Sequence, residues 1–353
     1  MQEYNWSGRV DEVLQRVFIV QSPVFELLAS MFRLQCHDQL PPPTDAAPLA
    51  GMDIDLWVDR VRGSLPTAAK HQLQLFFHYE SFIGLTRVQW AWRSGSWCRV
   101  DDFMERLAAM PPREFLAGSL QTGYTDPANP PPSLEPADLR RYLEASALPA
   151  AEQWKLAFLS LDPGRTLEDF LALVETCHAH YFMQEAERLA GAQAAAAQEL
   201  SGLRHRRDIV ARFPEVRGVP VDDLATTVVL APSVFYQGAS TASYDDQARQ
   251  LLLLFGTRHR APASDADDAV EAVKLLADDT RLKIVKVLAA GPCYGYELAQ
   301  RLNLSSSTIS HHLSLLASRH VVVAAREDNR VAYTLNRERL AALLASFGEE
   351  LLG

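Results

Sequence analysis

Apolar residues recur every three or four positions through most of residues 1–258, which is the spacing of amphipathic helices. One helix is predicted to begin after Ser22, a good N-cap, with Pro23 at the first helical position and Glu26 in the first turn. A further pair of helices is predicted on the two sides of Pro66, because a proline cannot continue the first helix but can open the second.

Residues 166–203 contain no proline and only two glycines. We therefore expect one long helix there, or two helices with a break near Gly191. β-Branched and other apolar residues concentrate at 223–236 and at 247–258, which favours strands. These patterns predict a mainly α protein whose helical N-terminal region contains a small β element.

Proline-rich and polar stretches divide the chain. Loops are predicted at 41–48 and 126–136, since successive prolines fix φ and remove backbone donors. The small, polar and acidic residues further on predict a linker over 259–266. This linker would separate a mostly helical N-terminal domain, residues 1–258, from a C-terminal domain, residues 267–353.

The hydrophobic pattern sharpens after residue 267. It predicts three successive helices, a tight turn at Asn303–Leu304, another helix, a β-hairpin around 327–329 and a last amphipathic helix over 336–352. This order is typical of an α+β helix-turn-helix domain with a wing. The apolar positions that set the helical spacing are Val270, Val273, Leu276, Ala277, Leu282, Val285, Leu288, Leu298, Leu302, Ile309, Leu313 and Leu316.

A helix-turn-helix places its second helix in the major groove, with the N-terminal side chains toward base edges. Small hydroxyl residues at that helix start let the backbone approach DNA, and free N–H groups there suit phosphate. Arginines flanking the hairpin tip can reach a phosphate or the minor groove. The candidate DNA-binding residues are Ser305, Ser306, Ser307, Thr308, Ser310, His311, His312, Arg326 and Arg330.

The segment from about 267 to 335 resembles the ArsR-type winged-helix repressor family. The resemblance is carried by "LADDTRLKIVKVLAAG", "YELAQRLNLSSSTISHHLSLL" and the wing "VVVAAREDNRVAYTL". It implies a homodimer that binds operator DNA and represses until an effector releases it. It also implies that helices over 267–277 and 337–351 form the dimer.

Metal ligation is not favoured by the residues present. Family members that sense metals use cysteines ahead of the recognition helix or an acid and histidine set on the last helix, whereas here Cys293 stands alone and the last helix has no Cys, His or Asp. Adjacent His311 and His312 point about 100° apart on a helix, so we expect His312 to be partly buried and His311 to face DNA. Cys177 and His180 share a helix face, but a core cysteine beside a surface histidine is the simpler interpretation.

The charge balance argues against a protein coated for non-specific nucleic-acid binding, since the 353 residues carry a net charge of −10. The part from 261 onward has 10 Lys and Arg against 12 Asp and Glu, a net charge of −2, which leaves room for a local DNA face. The four cysteines are far apart, as in a reducing compartment. With no export signal or membrane-spanning run recognisable, we expect a cytoplasmic location.

Trp90, Trp92 and Trp97 could line an apolar pocket for a small effector, although aromatic clusters more often belong to a core. No short signature of a hydrolase, metalloprotease or nucleotide-binding enzyme occurs. We therefore expect no enzyme and no cofactor, but a sequence-specific transcriptional regulator, a homodimeric repressor released by a small molecule. The alternative is an enzyme or a protein-interaction module that carries a winged-helix tail.

Overall fold

The computed structural model of the protein is mainly α-helical, as predicted, and ends in a winged helix-turn-helix. It describes residues 9–14, 16–40, 52–78, 84–120, 134–146, 148–203, 205–213, 216, 221, 223–237, 240–245, 248–257, 276–304, 306–318, 321–327, 330–337, 339–341 and 344–345.

The helices of the N-terminal part form most of its core. They are α1 (Pro23–Cys36), α2 (Ile54–Ser64), α3 (Thr67–Phe76), α4 (Thr86–Ser94), α5 (Val100–Ala108), α6 (Pro112–Leu120), α7 (Pro136–Ala145), α8 (Ala150–Leu159), α9 (Pro163–Cys177), α10 (Met183–Leu200) and α11 (Arg206–Arg212). A 3-10 turn at His37–Gln39 follows α1, and a π-helical turn at His178–Phe182 joins α9 to α10.

The capping of α1 confirms its predicted start. Ser22 Oγ accepts the backbone N–H of Phe25 at 3.0 Å, with Pro23 in the first turn. The predicted pair of helices around Pro66 is present as α2 and α3. The helix predicted over 166–203 runs through Gly191 without a break there, and its irregularity is the π-helical turn instead.

A five-stranded sheet lies among these helices in the order β1-β2-β3-β5-β4. The central β2, β3 and β5 are parallel, and the edge strands β1 and β4 are antiparallel to their neighbours. The segments predicted as strands, 223–236 and 247–258, contain β3 and β5, whereas β1, β2 and β4 were not predicted. The strands are β1 (Arg9–Leu14), β2 (Val17–Gln21), β3 (Thr227–Ser233), β4 (Ser240–Asp245) and β5 (Gln250–Gly256).

The central strands are apolar on both faces because helices cover both sides of the sheet. Val228 and Leu230 of β3 pack in one core with Ile209 of α11. Val229, between them, belongs to the larger core around α1. The turn after β3 is also fixed to α1 by buried polar groups.

Two charged side chains of α1 hold that turn through its backbone. Glu26 Oε1 accepts the N–H groups of Val234 and Phe235 at 2.7 and 3.1 Å. Two turns further along α1, Arg33 donates to the carbonyls of Phe235 and Gln237 at 2.7 and 2.5 Å. Every one of these backbone groups is buried, so the two side chains satisfy donors and acceptors that water cannot reach.

The C-terminal part contains α12 (Asp279–Ala290), α13 (Gly295–Leu302) and α14 (Ser306–Ser318), with a sheet ordered β6-β8-β7. Its strands are β6 (Cys293–Tyr294), β7 (Val322–Glu327) and β8 (Arg330–Leu335). The predicted hairpin is confirmed, since Glu327 pairs with Arg330 across its tip. The proposed dimer helices over 267–277 and 337–351 lie largely outside the described residues.

The core of this part is its own cluster of buried side chains. One expected core position is wrong, because Leu282 is 39% exposed and Ile284 is buried instead. At 100° per residue, Leu282 lies more than about 90° from the mean direction of Ile284, Val285 and Leu288. The buried members are Ile284, Val285, Leu288, Cys293, Leu298, Ala299, Ile309, Leu313, Leu316, Val321, Val322 and Leu335.

Candidate DNA-binding site

The turn between α13 and α14 sets the angle of the helix-turn-helix. Asn303 ends α13 in the left-handed region, with φ 54° and ψ 46°, which asparagine tolerates better than most residues. The N–H of Leu304 donates to the carbonyl of Ala299 at 3.0 Å and closes the end of α13. The chain can therefore turn after Asn303 and start α14 at Ser306.

One face of α14 is held in the core. Ile309, Leu313 and Leu316 are buried, as their spacing predicted. Among the candidate DNA-binding residues, Thr308 is half-buried beside this stripe. Ser306, Ser307, Ser310 and His311 lie on α14, although only their backbone is described, and Ser305 lies outside the described residues.

His312 is partly buried and faces the start of α12. Its Nδ1 lies 3.6 Å from Oδ1 of Asp278. Asp278 is also the N-cap of α12, since the same oxygen accepts the N–H of Arg281 at 2.9 Å. That backbone hydrogen bond is the main reason that the pKa of Asp278 is lowered, and the charges of Arg281 and His312 lower it further.

Sequence reasoning missed Asp278 as part of the site. The available signal was its place ahead of Thr280 and Arg281, which is typical of an N-cap aspartate. Nothing in the spacing shows that the cap would meet a histidine 34 positions away. The contact connects the predicted recognition helix, α14, to the start of α12.

The wing places its two candidate arginines at the end of the hairpin. Arg326 pairs with Val331, and Arg330 pairs with Glu327, next to the tip. The backbone geometry is described for both positions but their side chains are not. The pairing therefore agrees with the predicted turn, and the contact with DNA stays a prediction.

The lone Cys293 has a structural partner in this domain. It is buried, and its Sγ lies 3.3 Å from Glu297 Oε2, which also accepts the N–H of Tyr294 at the start of α13. Burial raises the pKa of Cys293, and the backbone hydrogen bond lowers the pKa of Glu297. Within the described ranges, no three His, Cys, Asp or Glu side chains are grouped so that they could hold a metal ion.

The three tryptophans predicted as an effector wall all pack against the main core of the N-terminal part. The rings of Trp92 and Trp97 lie 5.4 Å apart, and Trp92 lies 6.4 Å from Phe18 of β2. Trp90 instead contacts Phe103 of α5 at 5.8 Å. The structure therefore brings Trp92 and Trp97 together, whereas Trp90 packs against α5.

Cys177 and His180 have different surroundings. Cys177 is buried, and its burial raises the pKa of the thiol to about 12. His180 Nε2 lies 3.0 Å from Ser64 Oγ of α2.

No described helix is both long and apolar enough to cross a membrane.

Known proteins match the sequence of this helix-turn-helix. A family model described as "Bacterial regulatory protein, arsR family" matches residues 278–318, from the N-cap of α12 to the end of α14. The chain is 39% identical over 79 residues to the HTH-type transcriptional regulator CmtR of Mycobacterium tuberculosis (strain ATCC 25618 / H37Rv), covering 22% of this chain and 67% of that protein.

Two other relatives also match a short part of this chain over most of their own length. The transcriptional repressor SdpR of Bacillus subtilis (strain 168) is 35% identical over 63 residues, 18% of this chain and 70% of SdpR. The arsenical resistance operon repressor of Staphylococcus xylosus is 32% identical over 68 residues, 19% of this chain and 65% of that protein. A winged helix-turn-helix with these relatives defines a transcriptional regulator. The chain belongs to the ArsR family of bacterial regulatory proteins.

Proposed function

We propose that this protein is a cytoplasmic homodimeric repressor that binds operator DNA through α14 and the wing. A small molecule bound by residues 1–258 would release it. Two of the relatives are repressors, which supports repression as the direction of regulation. We further propose that residues 259–266 form the linker between this effector domain and the DNA-binding domain, residues 267–353.

The orientation of α14 is the observation that carries this proposal. Its buried stripe of Ile309, Leu313 and Leu316 fixes which face packs on the domain. At 100° per residue, positions 307 and 311 then fall on the opposite face, and position 310 lies beside it, about 90° from the stripe. These positions carry serine, serine and histidine, which are short or polar enough for a helix to enter the major groove.

The wing supports the same surface. Two-residue hairpin tips are narrow, and Arg326 and Arg330 flank this one in adjacent pairs of the β7–β8 ladder. Arginine near phosphate contributes affinity that falls with salt, whereas helix residues at base edges contribute sequence preference. The α14 and wing residues would thus act in different ways on one DNA site.

An aromatic pair supports effector sensing by the N-terminal part. Trp92 and Trp97 form a partly buried aromatic pair beside β2, and aromatic side chains are common in pockets for apolar ligands. A ligand that binds one arrangement of the dimer better would change the spacing of two recognition helices. Half-sites must lie about 34 Å apart, so a change in spacing would release DNA.

A gel-shift titration with the DNA upstream of the protein's own gene tests the DNA-reading face. Wild type is expected to bind, and Ser310→Glu is expected to weaken binding at least tenfold, because a carboxylate would enter a groove lined by phosphates. The matched control is Ser201→Glu at an exposed position after α10. Equal weakening by both variants would contradict a DNA-reading role for α14.

A further inference from the structure

Helix α8 exposes large apolar side chains on its outer face. One face packs Leu156 and Leu159 inside the protein, while the other exposes Trp154 and Phe158, which are 77% and 61% accessible to solvent. Leu161, in the turn that follows, is 74% exposed. A contiguous exposed patch of large apolar side chains marks an interaction surface, so this outer face is expected to be covered.

The exposed residues form one continuous stripe. Intervals of four and three residues place Trp154, Phe158 and Leu161 on the same side of the helix direction. Two large aromatic side chains and a leucine offer on the order of 400 Å² of apolar surface. That is about half of the roughly 800 Å² that each partner contributes to a standard protein interface, and a central Trp is the typical anchor of such an interface.

Charges of both signs lie on the helix that packs beside α8. Helix α7 packs beside α8 through Leu139 and Leu143. Its exposed face carries Arg140 and Glu144, whose side chains lie 3.6 Å apart. A surface with an apolar centre and a rim of both signs can match an identical surface turned by a twofold axis, because each cation then finds an anion.

We propose that the α8 face, defined as Trp154, Phe158 and Leu161, docks against the α8 face of a second copy of this chain. The two α8 helices cross with Phe158 near the twofold axis, and Arg140 and Glu144 of each α7 face the α7 helix of the other copy. This inference rests on the proposed homodimer for its choice of occupant. It adds a self-association surface in the N-terminal part, separate from the helices at 267–277 and 337–351.

Cysteine cross-linking of the full-length chain tests the geometry. Phe158→Cys is placed in a Cys98→Ser background, because Cys36, Cys177 and Cys293 are buried and Cys98 is half-buried. The expected result is an intermolecular disulfide under mild oxidation, which needs Cα atoms within about 7 Å. The control is Leu56→Cys on α2, which is 67% exposed and should stay uncross-linked.

Sedimentation equilibrium tests the energetics with a second variant. Trp154→Glu should weaken self-association roughly 30-fold, the effect of losing a central Trp at an interface, while Leu56→Glu should leave it unchanged. An unchanged dissociation constant for Trp154→Glu, with Phe158→Cys uncross-linked, would overturn the proposal. The α8 face would then belong to a different protein or to an apolar ligand.

DNA binding by the same samples separates this inference from the proposed function. Cross-linking at Phe158 in a wild-type-like chain that binds no DNA would contradict the proposed function and leave the α8 contact standing. DNA binding by a chain without that cross-link, and with no effect of Trp154→Glu on self-association, would remove the α8 contact alone.

Discussion

Asp278 and His312 meet at the base of the recognition helix, with Oδ1 of the carboxylate 3.6 Å from Nδ1 of the imidazole. Because Asp278 also caps α12 through the N–H of Arg281, one carboxylate both caps α12 and faces the imidazole of α14. The contact orients α14 from its inner side, so it can influence DNA binding without touching DNA.

Removing either member of the Asp278–His312 pair should weaken operator binding with little effect on the stability of the fold. Asp278→Asn keeps a good N-cap but removes the charge, and His312→Asn removes the imidazole. Each is expected to weaken operator binding about five- to tenfold, with less than about 1 kcal/mol lost from the free energy of unfolding, since the carboxylate is partly exposed. Binding to unrelated DNA should not change.

The double variant is the control for this coupling. If the two residues act through one contact, Asp278→Asn with His312→Asn should bind operator no more weakly than either single variant. Additive losses in a double-mutant cycle of operator dissociation constants would show that the residues act independently.

The core stripe of α14 should be intolerant of truncation. Ile309→Ala removes a fully buried side chain and is expected to cost about 3 kcal/mol, within the range of large-to-small changes in cores. Leu282→Ala, at a position that is 39% exposed, should cost less than about 1 kcal/mol. Hydrogen exchange of the α14 amides in the full-length chain measures both, and similar losses of protection would contradict this account of the core.

Glu26 should give the N-terminal part a distinctive pH dependence. Burial raises its pKa from 4.5 to about 7, against the opposing effect of the N–H groups that it accepts. Because folding raises the pKa, the folded state binds this proton more tightly, and stability falls as pH rises from about 4.5 to 7. The shift corresponds to about 3 kcal/mol over that interval.

Glu26→Gln has no carboxyl group to titrate, so its free energy of unfolding should not fall in this way. The difference in free energy of unfolding between Glu26→Gln and wild type should therefore shift in favour of the variant as pH rises. Chemical denaturation at pH 4.5, 6 and 7.5 measures the difference, with exposed Glu175→Gln as the matched control. A constant difference between Glu26→Gln and wild type over that interval would show that Glu26 does not change protonation there.

The order of elements in the DNA-binding part could be predicted from the sequence because its signals are local. Ile309, Leu313 and Leu316 repeat within one helix, and the wing strands are separated by two residues. Asp278 and His312 are 34 positions apart, and no periodicity relates them. Their contact appears only when α12 and α14 are packed together.

The sheet of the N-terminal part was harder to predict for the same reason. β2 pairs with β3 in a register that joins Val17 to Val228, and pairings so distant leave no local pattern. Glu26 reads as an ordinary acidic residue in a first helical turn. Its role as an acceptor for Val234 and Phe235 depends on a turn about 200 residues later.

The salt dependence of operator binding tests the central claim most directly. Fluorescence-anisotropy titrations of upstream DNA at two salt concentrations would compare wild type, Arg330→Ala and the control Arg165→Ala, an exposed arginine of α9. The account predicts tight wild-type binding that weakens with salt, and an Arg330→Ala slope of log affinity against log salt that is shallower by about 1. Identical slopes for Arg330→Ala and Arg165→Ala, or no binding to a genome-wide DNA pool at low salt, would contradict it.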